Sequence, residues 1–289
     1  MSSEKKTSAK RIQTRTNILV HLILAILAVI WLFPVVWVVL TSFRAEKGSY
    51  VSSFLTKSFT LDNYIKLFTD TSILNFPQMF LNTLFIAICS CVLSAFFLLS
   101  ASYCLSRLRF KLRKPYMNMA MILGLFPGFM SMVAVYFILK AVGLTEGNNV
   151  RFALILCYSG GAALGFQITK GFFDTIPKDL DEAAMLDGCS KAGILFKIMI
   201  PIVKPAIVTA SIFAFYWIWQ DFFQPLIFVS SPENYTIPLA LNLYLDPNSY
   251  NNYGGLFAMS VVSLLPVIVV FILFQKYIVE GIATDGIKG

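Results

Sequence analysis

The sequence predicts an all-α, polytopic membrane protein with six transmembrane helices, and three observations carry that prediction. The chain is 57% hydrophobic, 15% aromatic and only 13% charged, with a mean hydropathy of +0.74, outside the range of ordinary soluble domains. Its apolar residues are blocked into six stretches, at about 17–40, 79–104, 116–139, 152–169, 206–229 and 256–278. Each approaches the roughly 20 residues needed to cross a bilayer's hydrocarbon. The cations between them are lopsided: with the N-terminus inside, the inner segments hold 17 Lys/Arg and the outer ones 6. That is the positive-inside asymmetry. It puts both termini of a multi-pass membrane protein in the cytoplasm.

The segments follow in order. Residues 1–16 are polar and basic, and are expected to be disordered. The first apolar run is too long for a signal peptide and lacks a clear cleavage site, so it is read as a retained span. Residues 17–76 thus comprise the first span and an outer connection. Within that connection lie Tyr50, Phe54, Phe59 and Tyr64, and Leu61, Ile65 and Phe68 predict a short helix over about 61–70. Residues 77–280 form the core and 281–289 a tail. In the core, Gly124–Gly128 and Gly161–Gly165 each set two glycines four apart, a spacing that permits close helix approach. Pro127 is expected to kink span 3, and Pro266 the last span. A second outer loop, 230–255, ends in the polar, aromatic "DPNSYNNYGG".

Charge and motif content exclude several functions. The run Arg107, Arg109, Lys111, Arg113, Lys114 is an orientation signal rather than a nucleic-acid patch, so the net charge of +8 implies no nucleic-acid partner. Five cysteines, four of them inside apolar spans, imply neither a disulfide framework nor a metal site. There is no phosphate-binding loop, HExxH, GxSxG or CxxC, and the single histidine, His21, lies near the end of span 1. No catalytic or metal-ligating set emerges, and the chain is read as a non-enzyme.

The stretch 175–205, "TIPKDLDEAAMLDGCSKAGILFKIMIPIVKP", stands apart. Residues 170–204 carry ten charges, each costing about 3 kcal/mol or more at bilayer depth. The segment must therefore face water or a protein. Pro177 suits a first helical turn, and Asp179-x-x-Glu182 approximates a capping box. Gly188 should break the helix, a second apolar face follows, and Pro201 and Pro205 should end the run before span 5. The expectation is two short helices along the inner membrane surface.

At these residues the sequence resembles the permeases of ABC importers, whose signature is E-A-A-x3-G-x9-I-x-L-P. Glu182, Ala183, Ala184, Gly188, Ile198 and Pro201 match it, with Ile200 where Leu is usual. From about residue 77, "FLNTLFIA", "SYCLSRLRF", "GLFPG", "VGLTEG", "GFFDTIP" and "FFQPLIF" are similar to the carbohydrate-importer branch. The tail, through Gln275, Val279, Gly281, Gly286, Lys288 and Gly289, is similar to the maltose-type second permease. Asp285 stands where that family usually has Ala or Gly.

The resemblance implies a type I importer transmembrane domain of the bacterial plasma membrane, with a cytoplasmic coupling helix, Asp179 to Asp187. Glu182 would face a basic residue of the ATPase, Ala183 and Ala184 would allow close approach, and Asp187 and Gly188 would shape the turn. Gly286, Lys288 and Gly289 would touch the ATPases. It further implies a second homologous permease subunit, two cytoplasmic ATPase subunits and an extracytoplasmic sugar-binding protein as partners, alongside membrane lipid. No cofactor is implied for this chain, ATP and Mg²⁺ being used by the partner subunits.

Substrate-path candidates are Asn82, Gln167, Trp217, Gln220, Asp221 and Gln224. Asp221 falls about 15 residues into span 5, beside aromatic and amide groups suited to sugar rings. An interfacial aromatic belt is the alternative, and for Asn82 and Gln167, polar groups inside spans, the alternative is an interhelical hydrogen bond. Two other classes compete with the importer: an ion-coupled secondary transporter, which needs inverted repeats and intramembrane charge, and a membrane scaffold or receptor.

Overall fold

The computed structural model describes residues 2–45, 56–72, 74–162, 165–244 and 253–286. Tyr50, Phe54, most of "DPNSYNNYGG", Lys288 and Gly289 lie outside them. The helices are α1 (Ser2–Ser42), α2 (Asp62–Thr69), α3 (Phe76–Arg107), α4 (Arg113–Leu123), α5 (Gly128–Ala141), α6 (Val150–Ala162) and α7 (Phe166–Thr175). They continue with α8 (Asp179–Leu186), α9 (Lys191–Ile194), α10 (Ile200–Gln220), α11 (Phe223–Phe228), α12 (Ile237–Tyr244) and α13 (Tyr253–Gly286).

Among the described residues, four helical stretches are long and apolar enough to cross a membrane: Thr16–Ser42, Phe76–Arg107, Lys191–Gln220 and Tyr253–Ile278. Two bent pairs, Arg113–Leu123 with Gly128–Ala141 and Gly147–Ala162 with Phe166–Thr175, bring the number to six. Large apolar side chains such as Trp31 (75% exposed) and Leu125 (84%) face outward, as suits a surface solvated by lipid rather than water.

Several expectations need correction. Residues 2–16 continue α1 as helix instead of being disordered; Lys, Arg, Gln and Ala are good helix formers, and a helix already nucleated in the span extends cheaply into them. The helix at 62–69 forms, but it buries Asn63 and Leu67 while Leu61, Ile65 and Phe68 stay exposed. Pro127 does more than kink span 3. It adopts φ −58°, ψ 125° ahead of α5, and α4 and α5 meet at 107°. The glycine pairs do not mark close packing within the chain, since a Cβ at Gly128, Gly161 or Gly165 would meet nothing within 4 Å.

The largest departure concerns span 5. It begins at Lys191, about 15 residues earlier than read, and it passes through both prolines. A π-turn at Leu195–Met199 precedes them. Its widened i→i+5 pattern frees the backbone where a proline ring would otherwise clash, and Pro201 directly follows it, where the bonding changes to the α pattern of α10. The second of the two expected surface helices is therefore the start of a span.

The chain divides into two compact units. The first is Met1–Thr69 with Tyr244–Val262. Here the Asn63 amide donates to the carbonyls of Ser42 (2.9 Å) and Arg44 (2.8 Å), and the Ser42 and Tyr64 hydroxyls lie 2.6 Å apart. Gly254 presses on this point: a Cβ there would stand 2.5 Å from the Asn63 Nδ2. The second unit, Asp70–Leu243 with Ser263–Gly289, is organised around α3, which packs along α6, α7 and α10. At the Arg107 end of α3, Tyr103, Phe173, Ile176, Ala184, Ile194, Met199 and Val203 form one buried apolar cluster.

Candidate functional site

The cluster under α8 explains how a charged segment is held against an apolar bundle. Ile176, extended before Pro177 as that position requires, is anchored in the cluster. α8 then starts at Asp179 with Lys178 as an N-cap that makes no side-chain bond. The expected capping box is not formed. Asp179 sits one residue too late to cap; with Asp181 and Glu182 it instead places three carboxylates in the first turn, where the helix dipole favours negative charge. The helix ends in a Schellman motif: the N–H of Cys189 bonds the Ala184 carbonyl at 2.9 Å and that of Gly188 the Met185 carbonyl at 3.1 Å. Gly188 has φ +81°, the left-handed conformation that glycine adopts without strain. Ser190 then caps α9 by accepting from the Gly193 N–H at 3.1 Å.

One face of α3 holds this loop from beneath. Tyr103, Ser106 and Arg107 share a helical face by their i, i+3, i+4 spacing. The Tyr103 hydroxyl donates to the Lys191 carbonyl (3.0 Å), Ser106 to Asp174 (2.6 Å), and Arg107 to the Ile176 carbonyl (2.7 Å). Arg107 Nε also pairs with Asp181 Oδ2 at 3.1 Å, the two side chains being 5% and 11% exposed. Asp181 Oδ1 is buried without a hydrogen-bond partner. Burial pushes the Asp181 carboxyl above its usual range; Arg107 pulls it down and Glu182 pushes it further up.

The opposite face of α8 is open. Asp179, Glu182, Ala183 and Asp187 are exposed, and beside them so are Leu180 (43%), Met185 (49%) and Leu186 (88%). Ala184 turns inward into the cluster, so of the two expected close-approach alanines only Ala183 is on the free face. The result is an apolar patch ringed by carboxylates on a helix too charged to enter lipid.

The substrate-path candidates do not come together. Asn82 is 1% exposed. Its amide donates to the Glu233 and Tyr235 carbonyls and accepts from Gln78, the hydrogen-bonding role that is the alternative reading of a polar group inside a span. Gln167, Trp217 and Gln220 are exposed, and Trp217 and Gln220, three apart on α10, share a helical face. Asp221 is not deep inside a helix: it is the C-cap of α10, with φ −67° and ψ 124°. Its carboxylate accepts from the Tyr158 hydroxyl (2.8 Å) and from the Phe223 N–H (3.1 Å). Gln224 lines a cavity of about 460 Å³ with Ser131, Met132, Cys157, Gly160 and Gly161. Among the described residues no cluster of three or more His, Cys, Asp or Glu could hold a metal.

Comparison with known proteins fixes what kind of chain this is. Residues 98–284 match the profile of the binding-protein-dependent transport system inner membrane component. The chain belongs to that family. Its relatives include the inner membrane ABC transporter permease YcjP of Escherichia coli, 31% identical with 92% of this chain and 94% of that protein covered. The galactooligosaccharides transport system permease GanQ of Bacillus subtilis is 31% identical, with 93% and 94% covered. The trehalose/maltose transport system permease MalG of Thermococcus litoralis is 30% identical, with 91% and 94% covered. The fold matches a crystal structure of a bacterial ABC transporter that imports alginate, with TM-score 0.75, 24% identity and coverage of 90% and 95%.

This ABC permease is thus a multi-pass membrane protein and, like its relatives, a transport component rather than an enzyme. Its family matches the resemblance drawn from Glu182 to Pro201. Sequence reading missed Leu180, Met185 and Leu186 on the free face of α8, although Leu180-x-x-Ala183-x-x-Leu186 shows the spacing of one helix stripe. It also missed the Arg107–Asp181 pair, whose members lie far apart in the chain, and Tyr158. Gly286 is the last residue of α13.

Proposed function

We propose that this permease is the membrane-spanning subunit of an ATP-driven importer of sugars or oligosaccharides, coupled to its motor through α8. The observation that carries the coupling role is the free face of α8, where Leu186 stands 88% exposed beside Glu182. A charged helix bearing bare apolar side chains, fixed from below by Arg107, is suited to dock in a cleft of another protein. Asp179, Glu182, Ala183 and Asp187 form that docking face, while Ala184 and Gly188 hold its shape. The occupants are two cytoplasmic ATPase subunits, with both termini of this chain on the same side. Lys288 and Gly289, following Gly286, extend the contact.

The sugar assignment rests on relatives that carry galactooligosaccharides and trehalose/maltose by name. In this reading a sugar-binding protein delivers substrate from outside, and a second homologous permease completes the path. Gln224 and Ser131, which line the cavity described above, and the Asp221–Tyr158 pair are polar groups that this subunit contributes. Closure of the ATPases moves α8 and, through the cluster beneath it, α7 and α10.

Glu182→Lys tests the coupling role. In the assembled importer it should abolish most ATP-driven sugar uptake and ATPase co-purification, while the variant still inserts in the membrane at normal levels. Wild-type uptake by this variant would refute the assignment.

A further inference from the structure

A second cavity, of about 390 Å³, opens beside α8 between the end of α3, residues 108–113 and the start of α9. Arg107 in its wall is already committed to Asp181 and the Ile176 carbonyl. Four other cations line it, Arg109, Arg113, Lys178 and Lys191, against the single further carboxylate of Glu182. None of these four makes an ion pair among the described residues. A concave site with this surplus of positive charge is built for an anion, and guanidinium groups match phosphate oxygens in geometry as well as charge.

Its position favours one source of phosphate. The cavity begins where a 32-residue apolar helix ends, at Arg107. The chain then alternates cations with Leu108, Phe110 and Leu112. Phe110 is 44% exposed and Leu112 69%. Apolar side chains bare to the outside at the end of a span belong at the acyl boundary, with the neighbouring cations at headgroup level. A soluble anion would give these side chains no cover.

We propose that this cavity binds the phosphate headgroup of an anionic phospholipid, held by Arg109 and Arg113 on one side and by Lys178 and Lys191 on the other. The bound headgroup bridges the loop after α3 to both ends of the α8 segment, and so makes docking of that helix sensitive to lipid composition. Only the leaflet, and the consequence for docking, rest on the proposed orientation and ATPase contact. The site itself is formed by this chain's own residues.

The same loop supplies a matched control, because Lys111 and Lys114 do not line the cavity. The full chain, purified in detergent and supplied with phosphatidylglycerol or phosphatidylcholine, is examined by native mass spectrometry for retained lipid. Wild type should retain phosphatidylglycerol preferentially. Arg109→Gln/Arg113→Gln should lower that retention by on the order of tenfold or more, and Lys111→Gln/Lys114→Gln should leave it within about twofold. Equal losses in both pairs would reduce the effect to general surface charge and overturn the site, as would no lipid preference in wild type. Displacement of the lipid by millimolar inorganic phosphate would overturn it in favour of a soluble anion. Loss of ATPase co-purification by the arginine pair with lipid retention intact would assign the cavity to the protein partner instead. Because retention is read on the isolated chain, its failure leaves the α8 docking role standing, and failure of docking leaves the lipid site standing.

Discussion

The two ends of α3 carry out the same structural task with different chemistry. At one end Asn82 and Thr83 hold the segment 233–237: Asn82 donates to the Glu233 and Tyr235 carbonyls, and Thr83 Oγ1 accepts from the Ile237 N–H at 2.9 Å. Nearby, Asn234 accepts from Arg151 and donates to the Gly147 carbonyl. The groups contributed by α3 are neutral, and both of the Asn82 amide hydrogens and its oxygen are engaged. At the other end Tyr103, Ser106 and Arg107 hold the segment 174–191 through a buried ion pair in which Asp181 Oδ1 has no hydrogen-bond partner. The neutral clasp satisfies every amide group that Asn82 offers, although the Thr236 hydroxyl in the held segment is buried without a partner. The charged clasp lies in the wall of a polar cavity and leaves one buried carboxylate oxygen unpaired, and losing either of its members strands the other's charge.

Breaking each clasp sharpens the contrast. Arg107→Ala removes one member of a buried pair and strands the Asp181 charge, which typically costs about 3–5 kcal/mol. The expected result is a large drop in the thermal midpoint of the detergent-purified chain, measured by circular dichroism, and Asp181→Asn in the same chain should recover part of it. Asn82→Ala leaves two carbonyls without their donor, worth about 1–3 kcal/mol. It should lower the midpoint by a smaller amount and leave the docking face of α8 unchanged, so that ATPase co-purification persists in the assembled importer.

The smallest effect is electrostatic. The folded protein binds the Asp181 proton more tightly than the unfolded chain does, because burial outweighs Arg107. Folding stability from this group is therefore greatest at low pH, and falls as pH rises from the ordinary carboxylate range near about 4 through the raised folded value. Asp181→Asn should flatten that part of the profile of thermal midpoint against pH. An unchanged slope would remove Asp181 as its source.

The sequence made the spans legible because apolar blocks of that length admit few other structures, and it made α8 legible because ten charges cannot be buried in lipid. What it hid depends on distance or on competition. The Arg107–Asp181 pair joins residues whose adjacency exists only after α7 folds back on α3. The helical path through Pro201 and Pro205 depends on the π-turn at Leu195–Met199, a backbone adjustment with no residue signature of its own. Asp179 looked like a cap because its spacing to Glu182 was right, but the helix begins at Asp179 itself. The apolar run continues past Asp221 and suggests depth, whereas α10 stops at Gln220 and the chain turns. Asn82 is legible as a hydrogen-bonding group inside a span, but its two carbonyl partners lie some 150 residues away and no spacing reveals them.

We propose the free face of α8 as the place where an external motor engages this permease, and Leu186 is its most exposed apolar group. Leu186→Asp leaves the buried cluster untouched and adds a charge only to that face. In membranes carrying the assembled importer, the variant permease should fail to co-purify with the ATPase subunits while its own thermal midpoint, measured on the isolated chain, matches wild type. Undiminished co-purification with an unchanged midpoint would contradict the account.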